Sequence, residues 1–462
     1  MSHIIPPIPG EKSAEGQSSS PSQAPQQRSS SEGPSPETRN TSPLNNPWVF
    51  VPVLYFLEGI PYFIVATVSV TMLKNMGISN GSIGLWTSLI TFPWILKMLW
   101  GPLVEGHSTK RGWIVGTQLC IIVTLILESF SITQTSFLNP TLVVLTLMAF
   151  LSATHDIAAD GFYLLALSSE NQAFFVGIRG SAYRLANIFT NGGLIFLAGK
   201  LQESSGAKIA QSWQYVLWIS CGLYALLVGL NFLAMPRPRQ DAVRHEAFPP
   251  FAKAFREYFT QPHLLVILWF ILFYRFGESM VVKMSNPFLL DAAEKGGLAL
   301  STSDVGFIGG VVGVSTLIIG GILGGIYIAK YTLKRCLWPM VFAMNLPIIL
   351  YVWAAWTHPG KWGACLAVGV DNLGYGFGFA AYMVFLMFLT EGSRYRTAHY
   401  AISTGLMALG AMLAGSLSGF IQESLGYTQF FLATLILSIP GMAILPFLPL
   451  DKPPLLSSEQ GI

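Results

Sequence analysis

From Trp48 onward the chain repeats one pattern: an apolar stretch long enough to cross a bilayer, a short polar connection, then another apolar stretch. About twelve such segments are expected, near residues 48–73, 82–104, 113–133, 140–166, 175–199, 213–235, 263–288, 304–329, 336–356, 362–390, 397–421 and 427–449. A backbone in hydrocarbon must satisfy its own hydrogen bonds, so each segment is predicted to be a helix and the chain an all-α membrane protein. Composition agrees, since 52% of the 462 residues are hydrophobic and only 11% are charged. A soluble surface of this size needs more charge to stay wet. The net charge of +3 supplies no large basic field, so nucleic acid is not an expected partner. The sequence shows no phosphate-cradling loop, nucleophile motif or metal-ligand spacing, so an enzyme, a cofactor, a metal and ATP-driven pumping are not expected. The four cysteines, Cys120, Cys221, Cys336 and Cys365, lie in or beside apolar segments and read as small packing residues.

Residues 1–46 are of different material, rich in Ser, Pro, Gln and Glu, and are expected to be a disordered tail without signal-peptide character. The rest divides into a first six-helix half (47–235), a central loop (236–262), a second six-helix half (263–450) and a short tail (451–462). Within the central loop, Phe251, Phe255 and Phe259 recur at helical spacing among Lys253, Arg256 and Glu257, the pattern of a helix lying on a membrane surface. Basic residues gather on the even-numbered connections: Lys110 and Arg111, then Arg237, Arg239, Arg244, Lys253 and Arg256, then Lys330, Lys334 and Arg335, then Arg394 and Arg396. The odd-numbered ones carry Lys74, Lys200, Lys208, Lys295 and Lys361. The positive-inside rule then places the even connections and both termini in the cytoplasm, with the protein multi-pass in the inner membrane.

The two halves share a motif. Gly101-Pro-Leu-Val-Glu105 leads to Lys110-Arg111 between the second and third segments, and Gly325-Ile-Tyr-Ile-Ala329 leads to Lys334-Arg335 between the eighth and ninth. Two six-helix halves around a central loop resemble the plan of the major facilitator superfamily. The loop resembles that superfamily's Gly-x-x-x-Asp signature, with Glu105 for the Asp and Ala329 in the second copy. The resemblance implies a conformational role for Glu105, Lys110 and Arg111, with any acid latch confined to the first half.

Ionisable residues in hydrocarbon cost about 2.5–3.5 kcal/mol at a helix centre, and their placement is therefore informative. Glu58 lies in the first segment, Asp156 and Asp160 in the fourth, Arg275, Glu278 and Lys283 in the seventh, and Asp371 in the tenth. In the major facilitator plan those four helices line a central cavity. Asp156 and Asp160 are four residues apart, on one helical face. Arg179 and Arg184 of the fifth segment reach matching depth, about 6–14 Å from the same end at ~1.5 Å per residue. The simplest pairing joins Asp160 or Asp156 to Arg184. Such a pair would serve as a static tie between helices, or as a proton carrier if one carboxylate loses its partner. Arg275 and Glu278 are three apart and could satisfy each other. Glu58 sits beside Gly59 and Pro61, where the helix can open. Lys97 and Glu128 are expected to be structurally paired, Lys283 to snorkel to the outer face, and His155 to be a packing neighbour. Glycines crowd the eighth and eleventh segments, which fits either sliding helices or tight static packing.

Several runs resemble the AmpG family of major facilitator permeases: Lys97-Met-Leu-Trp100-Gly-Pro102-Leu with Lys110-Arg111-Gly112-Trp113 and Gln118; Ala153-Thr-His155-Asp156-Ile-Ala-Ala-Asp160; Tyr183-Arg184-Leu185; Tyr274-Arg275-Phe-Gly277; and Asp371-Asn372-Leu-Gly374. They occur in the family's order from about Pro47 to Leu450. The resemblance implies a proton-coupled symporter importing anhydro-muropeptides from cell-wall breakdown by alternating access, acting as a monomer. In that reading Asp156, Asp160, Glu58 and Glu278 carry protons, while Arg184, Arg275, Asp371, Asn372 and Tyr183 meet the substrate. His155 stands where the family has Gln. Two alternatives are kept: a permease of the same fold for a siderophore or other large organic anion, and a membrane sensor or scaffold that transports nothing.

Overall fold

The computed structural model describes residues 46–204, 208–238, 241, 251–393 and 395–451. The expected disordered tail before Asn46, residues 239–240 and 242–250 of the central loop and the tail after Asp451 lie outside the described residues, as does the Glu105 side chain.

Among the described residues twelve helical rods can be followed. They are α1 (Pro47–Asn75), α2 (Asn80–Leu89 and Phe92–His107), α3 (Lys110–Ser131), α4 (Leu138–Ala166), α5 (Ser169–Asn187 continuing to Ser204) and α6 (Ile209–Ala234). After the surface helix Phe251–Phe259 come α7 (Leu264–Leu290), α8 (Thr302–Lys330), α9 (Leu333–Thr357), α10 (Gly360–Leu389), α11 (396–425) and α12 (427–443). Side-chain caps start several of them. Asn46 accepts from the Trp48 N–H, with Pro47 opening the helix, and Ser79, Thr109, Ser168 and Ser301 do the same for α2, α3, α5 and α8.

Nine stretches among the described residues are long and apolar enough to cross a membrane. The difference from twelve rods has local causes. The α2 helix is interrupted at Ile90–Thr91, and the first half of α5 carries Glu170, Arg179 and Arg184. The last stretch, Ala398–Phe447, contains two rods, because Gly426 adopts φ 74 and ψ 169 and turns the chain between α11 and α12. Three rods contain π-helical turns, Ile64–Val68 after Pro61 in α1, Ile188–Leu194 in α5 and Phe307–Gly313 in α8. Such turns mark places where a helix can bend.

The apolar core shows how the rods meet. Call the end that holds the 107–110, 330–333 and 389–396 connections the basic end. Toward it lie two separate clusters: Phe50, Tyr55, Phe162, Tyr163 and Ala182 in the first six rods, and Phe270, Tyr274, Met340, Tyr382 and Phe385 in the last six. Toward the other end one cluster runs through both sets, from Ile60, Val65 and Ile195 to Met284, Ile308 and Phe431. The two sets of rods therefore share a core at one end and keep their own at the other. Trp356, Leu265, Leu226 and Val143 are among the large apolar side chains exposed on the outside, a surface suited to lipid.

Candidate functional site

The α1 and α4 helices bring three acids together in the basic half. Glu58, Asp156 and Asp160 place carboxylate oxygens within 4.8 Å of one another. Two cations answer them. Lys97 of α2 forms an ion pair with Asp156, and Arg179 of α5 lies 2.8 Å from Asp160. The Tyr55 hydroxyl donates to Asp160 at 3.2 Å, and the Arg179 guanidinium lies over the Tyr55 ring at 4.5 Å. Glu58 is buried, with one carboxylate oxygen lacking any partner. Gly59 admits α5 so closely that an added Cβ would stand 2.6 Å from the Ala186 methyl. The cluster thus holds three carboxylates against two cations.

The expected partner for these acids, Arg184, is not the one used. Five residues on a helix turn the side chain by about 140° at 3.6 residues per turn, so Arg179 faces Asp160 while Arg184 faces α8 beside Gly321. Lys97, expected to be structurally paired, is the Asp156 partner. Glu128 has no cation among the described residues; its contacts are within α3, to the Ser131 hydroxyl at 3.3 Å. His155 is buried and shares a hydrogen bond with Gln118, which also accepts from Asn231.

In the second half, α7 loses regularity at Tyr274–Arg275. Arg275 lies over the Tyr375 ring at 4.7 Å and the Phe379 ring at 4.9 Å, and reaches Glu278 at a long 3.4 Å. Asp371 is buried and turned toward α9, where the Tyr351 hydroxyl donates to it at 3.4 Å. Asn372 donates to the Val368 carbonyl of its own helix. Tyr183 is partly buried and packs on Phe63 at 5.1 Å.

At the other end a polar junction joins the two sets of rods. Lys74 pairs with Asp291 at 2.6 Å; Asn80 donates to Asp291 and to Gln422, and the Tyr427 hydroxyl donates to Asp291 at 2.6 Å. Asn286 donates to Thr71, and Ser303 to Glu203. Lys283, expected to snorkel outward, instead reaches the Thr87 hydroxyl at 3.2 Å, because α2 stands in its path. Burial alone would raise the Asp291 pKa, but hydrogen bonds from Lys74, Tyr427 and Asn80 more than offset it and hold the carboxyl below its ordinary range. The Lys74 and Asp291 side chains are only 13% and 8% exposed, against 34% and 43% for Arg179 and Asp160. This junction escaped sequence reasoning. The available signal was a lone base ending the first segment and a lone acid ending the seventh.

In the repeated motif, Asp241 accepts from the Lys110 and Arg111 backbone N–H groups at 2.6 and 3.0 Å, fixing the start of α3. The Arg111 guanidinium donates to the Phe232 carbonyl of α6. In the second half Lys334, near the start of α9, pairs with Asp451 after α12 at 3.0 Å. An acid following the sixth rod of each half thus returns to the start of the third.

The sequence pattern of the Major Facilitator Superfamily matches residues 53–404. The chain belongs to that superfamily. Among individual proteins, this major facilitator is 27% identical over 410 residues to an uncharacterized protein of Haemophilus influenzae, covering 84% of this chain and 91% of that one. It is 25% identical to the anhydromuropeptide permease of Escherichia coli K12 (85% and 78% covered) and 24% to a putative transporter AmpG 2 of Rickettsia typhi (87% and 95%). Solved major facilitator structures share the fold. A bacterial homolog of the human lysosomal transporter Spinster superposes with a TM-score of 0.70 at 16% identity, covering 88% of this chain and 97% of that one. The nucleoside transporter NupG gives 0.67 at 16% identity, covering 87% and 98%. The protein is a multi-pass membrane transporter of the secondary type for a small molecule, and not an enzyme.

Proposed function

We propose that this transporter couples proton movement to the passage of anhydro-muropeptides or closely related cell-wall fragments. The basic end faces the cytoplasm, with both termini there, and the chain acts as a monomer. The observation that carries the proton reading is the charge balance of the Glu58, Asp156 and Asp160 cluster. Three carboxylates meet two cations in a membrane interior, where an unbalanced charge is costly. One proton balances the site. Glu58, with an unpartnered oxygen, is the natural acceptor. The proton is held while the site is shut from water, and it leaves when Asp160 and Arg179 are wetted and can part. Glu278 stands in the same relation to Arg275 in the other half.

The substrate reading draws on the resemblance to the anhydromuropeptide permease. Arg275, whose buried Nε–H has no partner, receives the anionic group, and Tyr183 contacts the substrate. Arg184, Asp371 and Asn372 act at the margins of this site. The end joined by Lys74 and Asp291 is the outer gate, closed in the present conformation. Glu105, Lys110 and Arg111 form the inner hinge.

Uptake of radiolabelled anhydro-muropeptide into proteoliposomes under an imposed pH gradient tests the reading. The native protein accumulates the compound; Asp160→Asn inserts normally yet loses gradient-driven accumulation. Undiminished accumulation by that variant would remove the proton role, and uptake of a metal-loaded siderophore in place of the muropeptide would replace the substrate.

A further inference from the structure

Helices α2 and α4 are tied to each other toward the basic end only. There Lys97 pairs with Asp156, the Trp100 indole donates to the Thr154 hydroxyl at 3.2 Å, and its ring lies 5.6 Å from that of Phe150. Beyond the α2 interruption at Ile90–Thr91, toward the end of the Lys74–Asp291 junction, no hydrogen bond or ring contact joins the two rods among the described residues. A groove of about 690 Å³ runs between them instead. Trp86, Leu89 and Phe92 of α2 line it with Val143, Leu147 and Phe150 of α4, and all six are exposed.

Three features of the groove select what fills it. Its lining carries no charged residue, and the Thr146 hydroxyl is turned back to the Leu142 carbonyl of its own helix at 2.7 Å. Asn139, exposed near the start of α4, puts a single amide at one end. From Asn139 to Phe150 the helical rise covers about 16 Å. A hydrocarbon core is about 30 Å thick, so the groove reaches from the polar edge of one leaflet to the midplane. Its walls are also of the wrong kind for a docking helix. Close helix contacts in membranes use small residues, as where Gly310 meets Gly192, and this groove presents Trp, Phe and Leu.

We infer that the groove is a binding site for one acyl chain of a phospholipid from the leaflet at the junction end, with the lipid's polar end beside Asn139 and the chain tip at Phe150. Seated there, the chain backs the stretch of α2 whose Thr87 holds Lys283 of α7. The site is independent of the cargo.

The test irradiates the full-length protein in lipid nanodiscs that carry a trace of phospholipid with a diazirine at the end of one acyl chain, and locates the adducts by peptide mass spectrometry. Adducts are expected at Leu147 and Phe150 at least fivefold more often than at Leu226 and Ile319, which are exposed at mid-span on other faces. Phosphatidylglycerol and phosphatidylethanolamine should label alike, because the chain and not the headgroup is recognised. Val143→Trp should remove most of the groove adducts, whereas Leu226→Trp leaves them unchanged. Val143 is 68% exposed, so the larger ring fills the groove without entering the core. Size-exclusion chromatography checks that this variant is intact, and if it is not, the native distribution of adducts decides alone. Labelling spread evenly over the outer faces would mean ordinary boundary lipid and would overturn the inference. So would groove adducts undiminished in intact Val143→Trp, or a strong preference for the anionic headgroup. An unlabelled groove in a protein that runs as a dimer would give it to a second copy of the chain.

Discussion

Asp156 and Asp160 show how one helical face can divide two roles. Asp156 is tied to Lys97 from α2, whereas Asp160 answers Arg179 and Tyr55 at a more exposed position. Glu58 completes the cluster without a cation of its own. Removing one member changes the charge balance in a definite direction. Lys97→Met leaves three carboxylates against one cation and strips Asp156 of its partner. The expected result is poor membrane expression, rescued by the double variant Lys97→Met/Asp156→Asn, which restores balance but abolishes proton-driven uptake. Expression yield and uptake measured side by side check both halves of that statement. The sequence made the acids legible because a charge in an apolar run is conspicuous. Their partners were harder to read. Depth along a helix follows from counting, but whether Arg179 or Arg184 points at Asp160 depends on how α5 is rotated against α4, and that rotation is set by packing such as Gly59 on Ala186. Asp291 was missed for a related reason. At a helix end it looks like an ordinary loop acid until its neighbours are known.

Helix α5 joins charged residues to a stretch suited to bending. Its first half bears Arg179 and Arg184, its middle is π-helical over Ile188–Leu194, and there it meets the π-helical turn Phe307–Gly313 of α8. At that meeting a Cβ on Gly310 would stand 2.0 Å from the backbone of Gly192, an approach only glycine permits. Gly310→Val should therefore push α5 from α8 and disfavour closure at this end. Cysteines introduced near the ends of the two helices should become more reactive to a membrane-impermeant thiol reagent added from that side. Unaltered labelling would show that the contact adjusts. Gly426 makes a separate prediction. Its φ of 74 with ψ of 169 lies in a region essentially reserved for glycine, where a side chain costs about 1–3 kcal/mol, so Gly426→Ala should lower thermal stability by a few degrees, read by a melting assay in detergent, without changing uptake. The twelve rods were largely legible because apolar length alone defines them. The interruption at Ile90–Thr91 and the π turns were not, since they arise from contacts between helices.

At the scale of the molecule, the two sets of rods share one apolar core and one polar junction at the same end, and separate at the other. Opening the joined end must break Lys74–Asp291 and the bonds from Asn80 and Tyr427. Asp291→Asn should shift the population toward the alternative state, seen as longer spin-label distances between α2 and α11 at that end. The sign of the pH dependence follows from the depressed Asp291 pKa. The stabilisation is present above the ordinary carboxylate range near 4 and is lost only as pH falls through the lower folded value. The junction should therefore be indifferent to pH between about 5 and 8, and pH-driven opening in that range is assigned to the proposed proton carriers, the Glu58, Asp156 and Asp160 cluster and Glu278. The direct measurement is proton flux. Proteoliposomes holding a pH-sensitive dye, given anhydro-muropeptide outside and no imposed gradient, should show proton movement with the substrate in the native protein and none in Asp156→Asn. Substrate entry by the native protein with no accompanying proton flux would contradict the account.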